Sequence, residues 1–350
     1  MDIQNYFNSS SFWDILNELN INNKDEWDNA DSIGYYNNKI EEAASYLVEA
    51  AIRFYLLFQD EKDVLYHLNN YLTELIPAVS TLHQSSIYNT SDNLLLSYLI
   101  KSKGIEHNNL QQVEKEILFK TIYDKVVSKN YMFHAFNNSM FDSIKENGIN
   151  PHSFLTKQED IDNISNIYKK YGMSSPFFMQ ENNCVNKVSY SRGPNVSYGY
   201  GIDSPEWFAN FCSRGKNDCW DNSYEVRDYD NVLQNVMNTI SSFANEDKQI
   251  VLNFFKKNWN VYASSENIPI LAIMTSDNSL LAHGDYDYEY SIFRRDMNYY
   301  FEYWYLKRMN VDNQTNYIDT KDALFIQLPS YNRLMDLSLK KYSEKTHHKK

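Results

Sequence analysis

The period of the apolar residues changes once along this chain, near Asn130, and that change constrains the fold more than any other feature. Before it, Ile40, Ala44, Leu47, Ala51, Phe54 and Phe58 recur at steps of three and four, which lines one face of a long helix. Val64, Leu65, Leu68, Leu72, Leu75 and Ile76 repeat the pattern and predict a second helix that stops at Pro77, where the missing N–H and the ring oppose continuation. Ser91 and Asp92 suit the N-cap of a helix over 94–100, and Val113, Ile117, Ile122 and Val126 mark one more. Such stripes read first as the core of a helical bundle. A partner-binding groove is the competing reading.

Beyond Asn130 the segments shorten and turn aromatic or β-branched. YMFHAF at 131–136 has the look of a buried strand, and a helix through Met140, Phe141 and Ile144 should stop at Gly148, with Pro151 just past it. KVSYSR at 187–192, IPILAIMT at 268–275, FEYWYL at 301–306 and ALFIQL at 323–328 are also strand-like, with helical stretches around 205–212 and 231–257. Ser204, Pro205 and Glu206 read as the start of the first of these, with Trp207 as its anchor. Strands and helices at uneven spacing predict an α+β fold rather than a doubly wound sheet. The expected organisation is an all-helical domain over 1–129 and a mixed or antiparallel β-sheet domain over 130–340, separable from each other. Residues 345–350 (KTHHKK) are expected to fray.

Composition removes several classes of function. A net charge of −13 disfavours broad binding to phosphate backbones and leaves room only for a small basic patch. The opening MDIQNYFNSSSFWDIL lacks the basic and apolar regions of a secretory leader, and no apolar run approaches the roughly 18 residues of a membrane span. Cys184, Cys212 and Cys219 are odd in number and without CxxC spacing. They point to a reducing cytoplasm and have the wrong spacing for a zinc knuckle completed by a histidine. The abundance of Asn, Tyr, Ile and Lys reads as the codon bias of an AT-rich, bacterial-type genome. GxGxxG, Walker and GxSxG motifs are absent.

Three separated pieces carry chemistry. His134 lies mid-strand between Phe133 and Phe136, where a lone histidine is ordinarily a core residue bonded to a backbone carbonyl. Its surroundings, FHAFNNSMFDSIKENGINP, give it another meaning: strand, short helix, then a Gly-Ile-x-Pro turn. In KVSYSRGPNVSYGYG, Tyr190 is followed by Tyr198 and Tyr200. Two phenols can sandwich a flat cation such as the nicotinamide of NAD⁺. Glu302 opens the aromatic strand at 301–306, with one further strand after it; Glu289, Asp319 and Asp322 are the competing carboxylates.

In this order the pieces resemble ADP-ribosyltransferase catalytic domains of the His-Tyr-Glu class, the fold shared by poly-ADP-ribose polymerases and diphtheria toxin. The resemblance covers about residues 130–335 and leaves the helical part outside it. It implies that His134 hydrogen-bonds a ribose hydroxyl of NAD⁺, bound as a substrate. Tyr190 with Tyr198 or Tyr200 would hold the nicotinamide. Glu302 would stabilise the oxocarbenium-like state as the nicotinamide–ribose bond breaks, by the electrostatic logic of glycosidases. ADP-ribose would then pass to a macromolecular acceptor, protein or nucleic acid, with toxin, phage-defence and housekeeping roles all open. The interval between Tyr200 and Glu302 is long for a minimal domain of this kind. The acidic loop HGDYDYEY at 283–290 lacks EF-hand spacing and suits a solvated or target-recognition loop. Arg294 and Arg295 suit the pyrophosphate, an acidic target or plain exposure. The alternative function is a catalytically inactive module of the same fold whose helical domain recognises a partner.

Overall fold

Ser9 begins the first regular helix by capping it. Its hydroxyl lies 3.5 Å from the Phe12 N–H, and α1 (Ser10–Glu18) follows a 3₁₀ turn over Ile3–Asn8. Together these bury Ile3, Tyr6, Phe7, Phe12 and Leu16. The computed structural model describes residues 3–18, 33–79, 94, 95, 97, 98, 101, 131–149, 158–173, 188–190, 194, 198, 229–262, 268–275, 313–315 and 317–348.

The long helix read from the apolar stripe is α2 (Ile33–Phe58). It is buried on more than that stripe, since Ala43, Val48, Ile52, Leu56 and Leu57 are also inaccessible. A helix apolar on most of its circumference belongs at a centre, and α2 packs against α1, α3 (Val64–Val79) and the C-terminal helix. Within it, Glu49 and Arg53 form a buried i,i+4 pair at 3.3 Å. The α3 helix runs two residues past the expected stop at Pro77, whose fixed φ suits a helix and whose missing N–H forfeits a single bond in the last turn.

The sheet is antiparallel, ordered β1 (Tyr131–Asn137), β3 (Pro269–Thr275), β5 (Leu324–Gln327), with β3 in the middle. All of β3 is buried except Thr275, which explains its unbroken apolar run. A second pair joins β2 (Val188–Tyr190) to β4 (Asn313–Thr315). Among the described residues the C-terminal helix is the eighth, after α4 (Phe141–Asn147), α5 (Gln158–Lys170), α6 (Tyr229–Thr239) and α7 (Asn245–Tyr262). This α8 (Tyr331–His348) carries helical structure through most of the tail expected to fray. It is anchored to the start of the chain. The Arg333 guanidinium sits 4.1 Å over the Trp13 ring, and Lys341 donates to the Asn17 carbonyl at 2.5 Å.

Two cores use the two faces of the sheet. On one face Phe133, Leu271, Ile273 and Ile326 merge with α1, α2, α3 and α8 into a single apolar cluster. On the other, Met132, Phe136, Ile270, Ala272, Met274 and Phe325 pack with Ile144, Ile149 and Ile318. The first cluster therefore crosses position 129/130, where the texture of the sequence changes. A third cluster joins α5, α6 and α7. The stretch read as one helical region over 231–257 is two helices, because the chain dips between them to bury Phe243. The protein is thus mostly helical with a small three-stranded antiparallel sheet, an α+β arrangement.

Candidate functional site

Side chains alternate across a strand, so Met132, His134 and Phe136 share one face of β1, and Tyr131, Phe133 and Ala135 share the other. Core membership follows this division: His134 is on the face away from the helical bundle. His134 is half-buried and stands opposite Ala272 of β3, which itself stands opposite Phe325 of β5. The His134 and Phe136 rings lie 6.4 Å apart at 23°.

The turn after β1 is built as the sequence suggests. Asn137 caps it by accepting from the Ser139 N–H at 2.9 Å, and Asn138 bonds the Ile268 backbone in both directions. Gly148 closes α4, donating to the Ile144 carbonyl at 2.9 Å, with φ 72 and ψ −174, a combination essentially reserved for glycine. A Cβ there would fall 2.5 Å from the Tyr317 hydroxyl and 2.7 Å from the Ile318 carbonyl. Glycine is thus required both by backbone conformation and by close approach. The Ile149–Ile318 bridge and the Thr320 hydroxyl, donating to the Ile144 carbonyl at 2.5 Å, tie this turn to the segment before β5.

Strand β2 lies beside β1, with Cα atoms of the two within 8 Å, and pairs on with β4 in the register Tyr190–Asn313. The strands of His134 and Tyr190 are therefore neighbours. Tyr198 has a different place. It is fully buried in the bundle-side core, and its hydroxyl donates to the Pro329 carbonyl at 3.0 Å. A phenol so enclosed and so bonded is a packing residue in this arrangement. Asp319 and Asp322 are exposed in the turn before β5, where the Asp319 carboxylate accepts from the Lys321 N–H at 2.9 Å. Tyr200, Glu289, Glu302, Arg294, Arg295, the three cysteines and the expected elements at 113–126, 205–212 and 301–306 lie outside the described residues.

No protein-family model, curated protein or solved structure matches the chain.

The functional reading consequently rests on the chemistry of these residues and their placement. Among the described residues, no group of three or more His, Cys, Asp or Glu side chains is placed to hold a metal ion, and no helix is long and apolar enough to cross a membrane. Sequence reasoning missed β4, whose Asn-Gln-Thr carries no apolar signal, and the cradle that Gly148 forms for Tyr317.

Proposed function

We propose that the chain transfers ADP-ribose from NAD⁺ to a macromolecular acceptor and releases nicotinamide, with residues 130–340 forming an ADP-ribosyltransferase-like sheet domain. The observation that supports this reading is that the strand of His134, β1, neighbours the strand of Tyr190, β2. Two pieces dispersed through the sequence thus lie on neighbouring strands, and Glu302 lies outside the described residues. In this reading His134 orients a ribose hydroxyl, Tyr190 stacks on nicotinamide, and Glu302 supports the positive charge that develops on the ribose. Burial of Tyr198 in the core favours Tyr200 as the second stacking ring.

Incubation with labelled NAD⁺ and a cell lysate tests the proposal. Free nicotinamide should appear, and label should pass into either the protein or the nucleic-acid fraction, which identifies the acceptor class. Replacing Tyr190 with Phe should keep nicotinamide binding and most turnover, since stacking needs the ring; Ala should abolish both. Equal losses for Phe and Ala would assign the role to the hydroxyl and end the sandwich. A chain that binds nicotinamide without consuming NAD⁺ is instead the inactive binding module.

A further inference from the structure

His134 shares its face of the sheet with a second aromatic ring, two residues along the same strand. Phe136 is 6% exposed, and its ring lies 6.4 Å from the His134 imidazole at 23°, near parallel. Phe136 is itself held. Phe325 meets it edge-on at 6.2 Å, and Phe141 of α4 meets Phe325 edge-on at 5.1 Å. The register adds a reason for this bracing: the residue directly across from His134 is Ala272, too small to fix the imidazole from that side. On its own strand the imidazole is flanked by Met132, an unbranched and adaptable chain, and by Phe136, a rigid plate.

We propose that Phe136 is a positioning residue for His134, its ring holding the imidazole plane while Phe325 and Phe141 hold that ring in turn. The consequence for turnover rests on the ADP-ribosyl transfer reading; the contact does not. A hydrogen bond to a ribose hydroxyl depends on the direction of the imidazole N–H or lone pair. A neighbour that fixes the plane therefore affects NAD⁺ without touching it.

The test is a double-mutant cycle on NAD⁺ affinity, measured by calorimetry for the unaltered chain, Phe136→Leu, His134→Ala and both together. Acting through His134, Phe136→Leu should weaken NAD⁺ binding about tenfold in the unaltered background, within the coupling usual for residues in contact, and add nothing in the His134→Ala background. Equal weakening in both backgrounds would overturn the proposal, because the effect would then be a general loss of packing. No weakening in either would overturn it too. A second measurement needs no variant. Proton NMR of the full chain should show nuclear Overhauser contacts between the imidazole C–H protons and the Phe136 ring, and their absence sinks the idea. If the unaltered chain binds no NAD⁺, the transfer reading fails, and the NMR contacts alone decide the positioning.

Discussion

His134 and Glu302 are the residues on which the proposed chemistry depends. His134 is half-buried beside the small Ala272, so His134→Ala removes a polar ring without opening a deep cavity. We expect His134→Ala and Glu302→Gln each to abolish NAD⁺ consumption while changing unfolding free energy by less than about 2 kcal/mol, the usual range for single substitutions. Full turnover in Glu302→Gln together with a dead Glu289→Gln would move the acid to Glu289. Gly148 should behave in the opposite way. Its φ of 72 with ψ −174, and the 2.5 Å approach of Tyr317, leave no room for a side chain. Gly148→Ala should cost at least about 1–3 kcal/mol in a urea titration, even though the residue takes no part in the proposed reaction. Gly148 was legible as a helix stop from its place before Pro151. The requirement imposed by Tyr317 was not, because the two residues are far apart in sequence.

Among the elements, the three-helix unit of α5, α6 and α7 has a defined fastening. Asp247, in the first turn of α7, accepts from Lys170 at 2.7 Å and from the Tyr171 hydroxyl at 2.6 Å, and that hydroxyl also accepts from the Ala244 N–H at 2.7 Å. The Tyr171 ring stacks on Phe243 at 4.1 Å. The hydrogen bonds from Lys170 and then Tyr171 hold the Asp247 carboxyl below the usual carboxylate range, and the bond to Asp247 raises Lys170. A carboxylate depressed on folding stabilises above its unfolded pKa and loses that contribution as pH falls through the folded value. The raised lysine stabilises below its own unfolded pKa and loses its share as pH climbs through the folded value. The thermal stability of this unit should therefore fall below about pH 4 and above about pH 10.4, the ordinary ranges of the two groups. Asp247→Asn should flatten the acid limb; an unchanged acid limb would show that the pair does not matter. Two of its helices, α6 and α7, also fill part of the long interval between Tyr200 and Glu302. The helical stretch over 231–257 was readable from the sequence, but α5 and the break at Phe243 were not, and neither Gly nor Pro stands at that break.

At the scale of the whole molecule, the helical region and the sheet share a core. Phe133, Leu271, Ile273 and Ile326 face the bundle. Removing residues 1–129 would strip α1, α2 and α3 from this face and leave only part of its cover, at up to roughly 1.5–3 kcal/mol for each such side chain, against a typical total stability of about 5–15 kcal/mol. We expect the fragment 130–350 to aggregate or to be digested rapidly by trypsin. A soluble fragment that consumes NAD⁺ at the full-length rate would instead support two separable domains. The same geometry argues that the bundle does not wall the proposed NAD⁺ site, because His134 lies on the opposite face of the sheet. Its contribution to turnover would come through support of β1 and β3, so conservative bundle substitutions should lower stability before they alter NAD⁺ affinity.

Local pattern was enough to determine which stretches are helices and strands wherever the period was strong: α2, α3, β1, β3, β5 and the Gly148 stop follow from spacing and punctuation alone. The pieces His134, Tyr190 and Glu302 could likewise be named from residue type and order. Tertiary structure decided what no spacing encodes. Buried partners distant in sequence made α2 a central helix rather than a one-sided one, and fastened the C-terminal residues of α8 to Trp13 and Asn17. The same long-range packing drew Tyr198 into the core with its hydroxyl on Pro329, although in the sequence it stands as the alternative to Tyr200, whose spacing from Tyr190 fits best. It also turned His134 and Phe136 to the side of β1 away from the bundle, where α4 packs. Strand period says that two residues share a face; only packing against the rest of the chain says which face it is.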